Sequence, residues 1–372
     1  MKLQQYFEIL KCSLDPTRKL VVDAENMDWE SLYRFSLMQS ILGIVFNGVQ
    51  RMIEIDVKPP RPVLLKWIAA VNKIKEKNLI VNKAAVKLSE KLRQDGFESC
   101  ILKGQGNNLL YPNVFNRVPG DIDIWVRPLN SEGQNVERYQ NQVIQYVRNH
   151  HSKIYVVGYH HTDFGEIDGI GVEVHYRPSF MFNPIHNRRL QQWYVAHADQ
   201  QFRHVVELPD GVGRVAVPHA EFNVIFQLTH IYNHILHEGI GLRQVIDYYY
   251  LLKAEENHLP EDKRLELKDT LHRLGLEKIA GAMMWVLSEA LGLEEKYVIA
   301  PKDEHRGRIL LFEILRGGNM GRYDKRNIQA DSPLKKNVQR LQRDFRMMRY
   351  FPSECLWEPV FRLYHFFWRL GR

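Results

Sequence analysis

The sequence of 372 residues is poor in cysteine and contains no long apolar run. Its three cysteines, Cys12, Cys100 and Cys355, lie far apart and form no C-x-x-C pair, which argues against a disulfide framework and a cysteine zinc site. No stretch approaches the roughly 18 consecutive apolar residues of a membrane helix, and charged side chains follow too early for a signal peptide. We therefore expect a cytoplasmic protein with reduced cysteines and no transmembrane segment.

The excess of basic over acidic residues is confined to the C-terminal fifth of the sequence. From residue 301 onward there are 16 basic and 8 acidic residues, whereas the preceding part has 35 basic and 36 acidic residues. The net charge of +7 is thus local and favours a docking surface over a nucleic-acid-binding chain, so nucleic acid is an alternative partner that we do not favour. A hydrophobic content of 45% and 26% charged residues exclude a disordered chain. Composition leaves the oligomeric state open.

Hydrophobic periodicity divides the chain into three parts. Residues 1–96 are predicted to be helical, and their clearest helix begins near Pro62 and ends at Gly96. Residues 97–218 mix short strands with helices and form the expected core, and residues 219–372 return to the helical period. The pattern predicts an α+β fold in which helical regions flank a small mixed sheet.

Individual elements follow from the same patterns. In the core we expect strands over 97–103, 121–126, 153–157 and 171–177, one or two helical turns over 107–111, and a helix over 131–150. In the last part we expect helices over 219–237, 242–252, 264–274 and 277–291, then a basic amphipathic helix over 334–348 and an aromatic segment over 357–372. We expect these aromatics to seal the helical region or a dimer contact, with an interfacial membrane helix as the alternative.

The most informative segment is Gly120-Asp-Ile-Asp-Ile-Trp-Val126. Successive side chains of a strand point to opposite faces, so Asp121 and Asp123 share one face while apolar residues fill the other. Neighbouring carboxylates repel each other unless a cation lies between them, and hard cations such as Mg²⁺ take oxygen ligands. Alternation over Gly171–Arg177 supplies Glu173 as a third carboxylate. Because a lone D-x-D is common on surface strands, the second strand is what favours a metal site.

At this point the sequence resembles a known family. The resemblance lies in Leu102-Lys-Gly104, Arg117, Gly120-Asp-Ile-Asp-Ile124, Val172-Glu-Val-His175, His230-Ile-Tyr-Asn-His234 and Leu242-Arg-Gln-Val-Ile-Asp247. These motifs are similar to the uncharacterised bacterial nucleotidyltransferase family related to the DNA polymerase beta superfamily, over roughly residues 95–300. The resemblance implies a polymerase-beta-like core, two Mg²⁺ ions with Mn²⁺ as an alternative, and transfer of a nucleoside monophosphate from an NTP to an unidentified small-molecule or protein acceptor.

Roles for the core residues follow from that reaction. The expected catalytic and metal-binding residues are Asp121, Asp123 and Glu173, whose carboxylates can bridge a cation pair. The Gly104-Gln105-Gly106 turn is expected to offer backbone N–H groups to the triphosphate, with Lys103 and Arg117 countering phosphate charge. Gln105 departs from the resemblance, because the superfamily usually has Gly-Ser or Gly-Gly at this turn. For Lys103, a solvated strand end is an equal alternative.

Histidines supply the remaining candidates. His175 shares a face with Glu173 and is expected to orient that carboxylate or to contact substrate. His230 and His234 are four residues apart on one predicted helix, and with Arg243 they are expected to form the acceptor-binding wall. A purely structural role for the two helical histidines is an open alternative.

Zinc binding by histidine is a minor hypothesis. His237 lies on the same predicted helix face as the two acceptor candidates, and His160 and His161 add two more imidazoles. The glutamate of the metalloprotease pattern is absent. The alternative to an enzyme is a non-catalytic nucleotide- or partner-binding protein that keeps the nucleotidyltransferase fold.

Overall fold

The computed structural model describes residues 2–19, 27–150, 157–254, 260–326 and 333–370. The elements up to the second strand are α1 (Lys2–Leu14), α2 (Trp29–Met38), α3 (Leu42–Glu54), α4 (Arg61–Gln94), β1 (Phe97–Leu102), α5 (Gly104–Asn108) and β2 (Ile122–Pro128). Next come α6 (Gln140–Asn149), β3 (His161–Ile167), β4 (Ile170–His175), α7 (Pro184–Arg203), β5 (Val205–Leu208) and β6 (Gly213–Ala216). The last helices are α8 (Ala220–His237), α9 (Leu242–Lys253), α10 (Glu261–Arg273), α11 (Glu277–Leu291), α12 (Glu304–Gly317), α13 (Pro333–Met348) and α14 (Pro352–Leu370).

A four-stranded mixed sheet lies between the helices in the order β1-β2-β4-β3. β2 runs antiparallel to β1 and parallel to β4, and β3 runs antiparallel to β4. β5 and β6 form a separate hairpin. The predicted α+β class, a small mixed sheet with flanking helices, is confirmed; the division at residues 96 and 218 stays a prediction.

β2 is buried on both faces, and this position determines what covers the carboxylates. Ile122, Ile124 and Val126 pack in an apolar cluster with residues of α4 and α6. Trp125, on the other face, belongs to a larger cluster that includes residues of α7, α8 and α9. Asp123 alternates with Ile122 and Ile124 and therefore lies on the same face as Trp125, which α7, α8 and α9 cover.

α4 confirms the clearest sequence prediction. Pro62 lies in its first turn, where a missing backbone N–H costs no hydrogen bond. Gly96 follows its C-terminal end with φ of +87°, a left-handed conformation that side chains with a Cβ atom rarely adopt. The chain then turns directly into β1.

Several other predictions were wrong in their bounds. The helix predicted over 131–150 begins only at Gln140, after a 3₁₀ turn over Val136–Arg138, and the helical turn predicted from 107 begins at Gly104. β3 and α7 were not predicted. Of the strand predicted over 153–157, residues 153–156 lie outside the described residues, and Val157 pairs with Thr162 in an isolated bridge.

The aromatic C-terminal segment forms α14, which seals the helical region only in part. Phe361 stacks on Phe180 with ring centroids 4.9 Å apart, whereas Phe366 and Phe367 are exposed in the single chain. Among the described helices, none combines the length and hydropathy needed to cross a membrane.

Candidate active site

The three carboxylates lie near one end of two adjacent parallel strands. Asp123 of β2 is directly opposite Glu173 of β4 in the register. Asp121 lies two residues before Asp123, and a Cβ atom placed on Gly171 of β4 would be 3.9 Å from the Asp121 Cβ atom. Asp123 is only 6% exposed, Glu173 is half-buried and Asp121 is exposed. The exposure of the three carboxylates therefore increases from Asp123, which is buried, through Glu173 to Asp121, which faces solvent.

Asp123 is contacted by two cationic or proton-donating groups. Lys103 Nζ lies 2.9 Å from Asp123 Oδ1, and His175 Nε2 lies 3.1 Å from the same oxygen. Glu173 Oε2 lies 3.5 Å from His175 Nε2. His175 thus connects the two paired carboxylates, which is the orienting position expected for it.

These contacts set the electrostatics of the site. Burial opposes ionisation of Asp123, but the Lys103 ammonium and the His175 hydrogen bond outweigh it and hold the pKa of Asp123 well below its ordinary value. Burial likewise opposes protonation of His175, whereas hydrogen bonds to Asp123 and Glu173 raise its pKa to about 9. The negative charge of Asp123, aided by burial, raises the pKa of Asp121. Asp123 is thus ionised at neutral pH, and its charge makes Asp121 harder to ionise.

Lys103 adopts a backbone conformation that is rare for a residue with a side chain. Its φ is +56° and its ψ is −141° at the junction of β1 and α5, and such conformations cost on the order of 1–3 kcal/mol. The junction places Lys103 Nζ between Asp123 and His230 Nε2, which is 3.0 Å away. The Lys103 side chain therefore contacts other site residues, which argues against the alternative that it is simply solvated at the end of β1.

The turn that follows Lys103 is shaped by packing. Gln105 is buried, and its side-chain amide donates to the Asn82 side chain on α4. The Gln105 side chain is therefore held against α4. Gly106 lies against Val217, where an added Cβ atom would be 3.1 Å from the valine side chain. A cavity of about 650 Å³ is lined in part by Lys103 and Gly106. Gly104 has a φ of +44°, and Gly106 N–H donates to the Lys103 carbonyl at 3.0 Å.

Arg117 is held in a buried ion pair. Its Nε and Nη2 atoms donate to the two Asp247 carboxylate oxygens at 2.7 and 2.8 Å, and Tyr111 Oη donates to Asp247 Oδ1 at 2.6 Å. Arg117 and Asp247 are each about 95% buried. The structure thus directs this guanidinium to α9, and its expected role on phosphate stays a prediction.

The helical residues predicted to form an acceptor wall lie around the same centre. His230 reaches it through Lys103, and the His234 ring is 4.2 Å from the His230 ring, centroid to centroid. Arg243 Nη1 donates to the Val118 carbonyl at 3.0 Å and lies beside Gly120. The packing of α8 and α9 therefore brings all three side chains toward the carboxylate end of β2.

From the sequence, His160 and His161 were candidates only for a minor zinc-binding hypothesis, together with the histidines of the helix predicted over 219–237. The structure instead places both next to His175, with ring centroids 5.2 Å from it. Their adjacency in the sequence was the available signal. The pairing of β3 with β4 could not be predicted from the sequence, because β3 lacks a clear apolar alternation.

A second cavity lies farther along the same sheet face. Its volume is about 660 Å³, and its lining includes Trp125, Arg127 and Arg177 from β2 and the end of β4 together with aromatic residues of α14. None of the predicted site residues lines it. The carboxylate centre and this cavity are therefore separate features of one face.

Comparison with known proteins places these features in a family. A crystal structure of an antigenic nucleotidyltransferase-like protein from Paracoccidioides brasiliensis is similar over 61% of this chain and 96% of that chain, with 11% sequence identity and a TM-score of 0.30. No curated protein matches the sequence. The profile of the family described as "Uncharacterised nucleotidyltransferase" matches residues 25–292, and the chain belongs to that family.

Proposed function

We propose that this chain is a metal-dependent nucleotidyltransferase that moves a nucleoside monophosphate from an NTP to an acceptor. The observation that carries the proposal is the pairing of Asp123 with Glu173 on parallel strands, next to Asp121. Membership of a nucleotidyltransferase family supports a transferase. We extend the proposal to a polymerase-beta-like core over residues 97–218.

The donor set suits a hard divalent cation. Asp121, Asp123 and Glu173 offer only carboxylate oxygens, the ligands that Mg²⁺ and Mn²⁺ prefer. The Lys103 ammonium already contacts Asp123, which shows that this oxygen accepts a cationic partner. When bound, the metal neutralises phosphate charge and stabilises the attacking and leaving oxygens.

The remaining residues have roles that follow from their contacts. Asp123 enters the reaction ionised because of its neighbours, and His175 holds Asp123 and Glu173 in their relative orientation. We propose that Lys103 exchanges Asp123 for a phosphate oxygen when the metal-bound nucleotide arrives. His230, which contacts Lys103 Nζ, then steadies the Lys103 side chain after it leaves Asp123.

The two substrates are proposed to use different walls. We propose that the backbone N–H groups of Gly104 and Gln105 bind the triphosphate, since Gly106 N–H already donates to the Lys103 carbonyl at 3.0 Å. His230, His234 and Arg243 are proposed to face the acceptor. His234→Ala should therefore weaken turnover with the acceptor while leaving nucleotide affinity nearly unchanged. A structural histidine would instead lower the melting temperature with no selective kinetic effect, and measuring both quantities on one variant separates these outcomes.

Transfer of label from α-labelled NTPs tests the proposal. The full chain is incubated with Mg²⁺, each NTP and pools of small molecules or proteins, and labelled products are separated. We expect one pool to accept label, Asp123→Asn to abolish the transfer, and Glu166→Gln, which removes an exposed carboxylate of the same sheet, to retain it. Mg²⁺-dependent nucleotide binding without transfer to any pool would favour the non-catalytic nucleotide-binding alternative. No nucleotide binding would overturn the proposal and leave only the partner-binding alternative.

A further inference from the structure

Three histidines converge at the junction of β3 and β4. His161 of β3 is opposite His175 of β4 in the antiparallel register, and His160 immediately precedes β3. The ring centroids are 4.4 Å apart for His160 and His161 and 5.2 Å apart for the other two pairs. Each ring offers a nitrogen, and the three nitrogens lie within 4.8 Å of one another.

These distances fit imidazoles around one metal ion. Zinc binds histidine nitrogen at about 2.0–2.1 Å in tetrahedral geometry, which separates two ligand nitrogens by roughly 3.3 Å and two ring centroids by roughly 5 Å. His160 Nε2 and His161 Nδ1 are 3.0 Å apart. The separations of the rings and of their nitrogens are therefore those of imidazoles that can share one tetrahedral ion.

One nitrogen of the cluster gives an independent indication of a ligand. His175 Nε2 faces Asp123, and His175 Nδ1 is buried with no hydrogen-bond partner among the described residues. Buried polar atoms almost always have a partner, so this nitrogen needs an explanation.

We propose that His160, His161 and His175 bind one transition-metal dication of the zinc type, at a site distinct from the carboxylate magnesium site. Imidazole suits zinc and its neighbours in the transition series, whereas Mg²⁺ prefers oxygen. A dication on His175 Nδ1 takes the place of the proton at that atom. The proposal does not depend on nucleotidyl transfer.

Neighbouring carboxylates complete the arrangement. Asp123 accepts from His175 Nε2, which is the carboxylate–histidine–metal relationship that fixes the ring orientation of a metal ligand. Glu173 Oε2 lies 3.5 Å from His175 Nε2 and 3.8 Å from His161 Nδ1. Glu173 therefore lies between the proposed transition-metal site and the magnesium site and can contact an ion in either.

Metal titration of the chelator-stripped full chain tests the site. We expect one Zn²⁺ per chain by calorimetry, and Co²⁺ at the same site should give the visible absorption of a tetrahedral ion. His160→Gln and His161→Gln should each weaken Zn²⁺ binding by at least about tenfold. His272→Gln, which alters an exposed histidine on α10, is the matched control and should bind as the wild type does.

Two further measurements keep the outcomes distinct. Zn²⁺ should raise the melting temperature of the wild type and of His272→Gln, and not that of folded His160→Gln or His161→Gln, because binding to the native state stabilises it. Asp121→Asn should lose Mg²⁺-nucleotide binding and keep Zn²⁺ binding. Failure of the wild type to bind stoichiometric Zn²⁺, or wild-type Zn²⁺ affinity in both glutamine variants, would overturn the proposal.

Discussion

Breaking the buried Arg117–Asp247 ion pair should be one of the most destabilising single changes outside the apolar clusters. Asp247 accepts two hydrogen bonds from Arg117 and one from Tyr111, and it joins α9 to the segment before β2. Asp247→Asn keeps the shape of the side chain and removes its charge. The variant leaves the Arg117 guanidinium buried without a counterion.

The expected loss follows from that uncompensated charge. Removing one partner of a buried ion pair typically costs about 3–5 kcal/mol. With an unfolding entropy of about 2.1 cal/mol/K per residue, a chain of this length loses roughly 4–6 °C in melting temperature. Burial alone would raise the pKa of Asp247, but Arg117 outweighs it and lowers that pKa. The pair therefore stabilises the protein above the unfolded-state pKa, and its contribution is lost as pH falls below about 4.

Urea denaturation and thermal melting of Asp247→Asn measure the loss at neutral pH and again in acid, where the difference from the wild type should shrink. Arg203→Ala removes an exposed pair with Glu132 and should unfold almost as the wild type does. A loss below about 1 kcal/mol would refute the reasoning. So would an Arg117→Ala variant that keeps its stability but loses nucleotide affinity, because Arg117 would then act on phosphate.

Three further variants have expected outcomes. Lys103→Met should strengthen Mg²⁺ binding without nucleotide, because it removes the cation that competes for Asp123, and should weaken nucleotide binding; calorimetry measures both, and unchanged affinities would remove Lys103 from the site. Asp121→Asn should leave the metal-free melting temperature unchanged or slightly higher, because repulsion from Asp123 is relieved, and a large fall would mark Asp121 as structural. Burial, reinforced by Glu358, raises the pKa of Asp344 to about 8, so the contribution of Asp344 to stability should fall as pH rises from about 4 to about 8. Melting curves over that range should therefore show a stability change that is less negative, or more positive, for Asp344→Asn than for the wild type, and identical slopes would contradict the assignment.

The carboxylate face was predictable because strand alternation is local. The sequence around Asp123 shows which side chains share a face, and the apolar residues between them show that the strand is buried. The pairing of Asp123 with Glu173 required the register of two strands about 50 residues apart, which the similar patterns of both strands made a reasonable expectation.

Contacts between distant elements were not predictable from local pattern. Asp247 lies 130 residues from Arg117, and His230 lies 127 residues from Lys103, so neither partner is visible in the flanking sequence. The β3 sequence HTDFGEI mixes polar and apolar residues, because an edge strand is half-covered and carries a weak period-2 signal. His161, the first residue of β3, and His160, which precedes it, therefore gave no hint of their position beside His175.

Anomalous diffraction from crystals grown with Mn²⁺ and a non-hydrolysable NTP analogue would test the central claim most directly. The account predicts manganese in contact with carboxylate oxygens of Asp121, Asp123 and Glu173 and with phosphate oxygens of the nucleotide, and Lys103 Nζ moved from Asp123 to phosphate. Manganese and nucleotide bound elsewhere, with the Lys103–Asp123 ion pair intact, would contradict it.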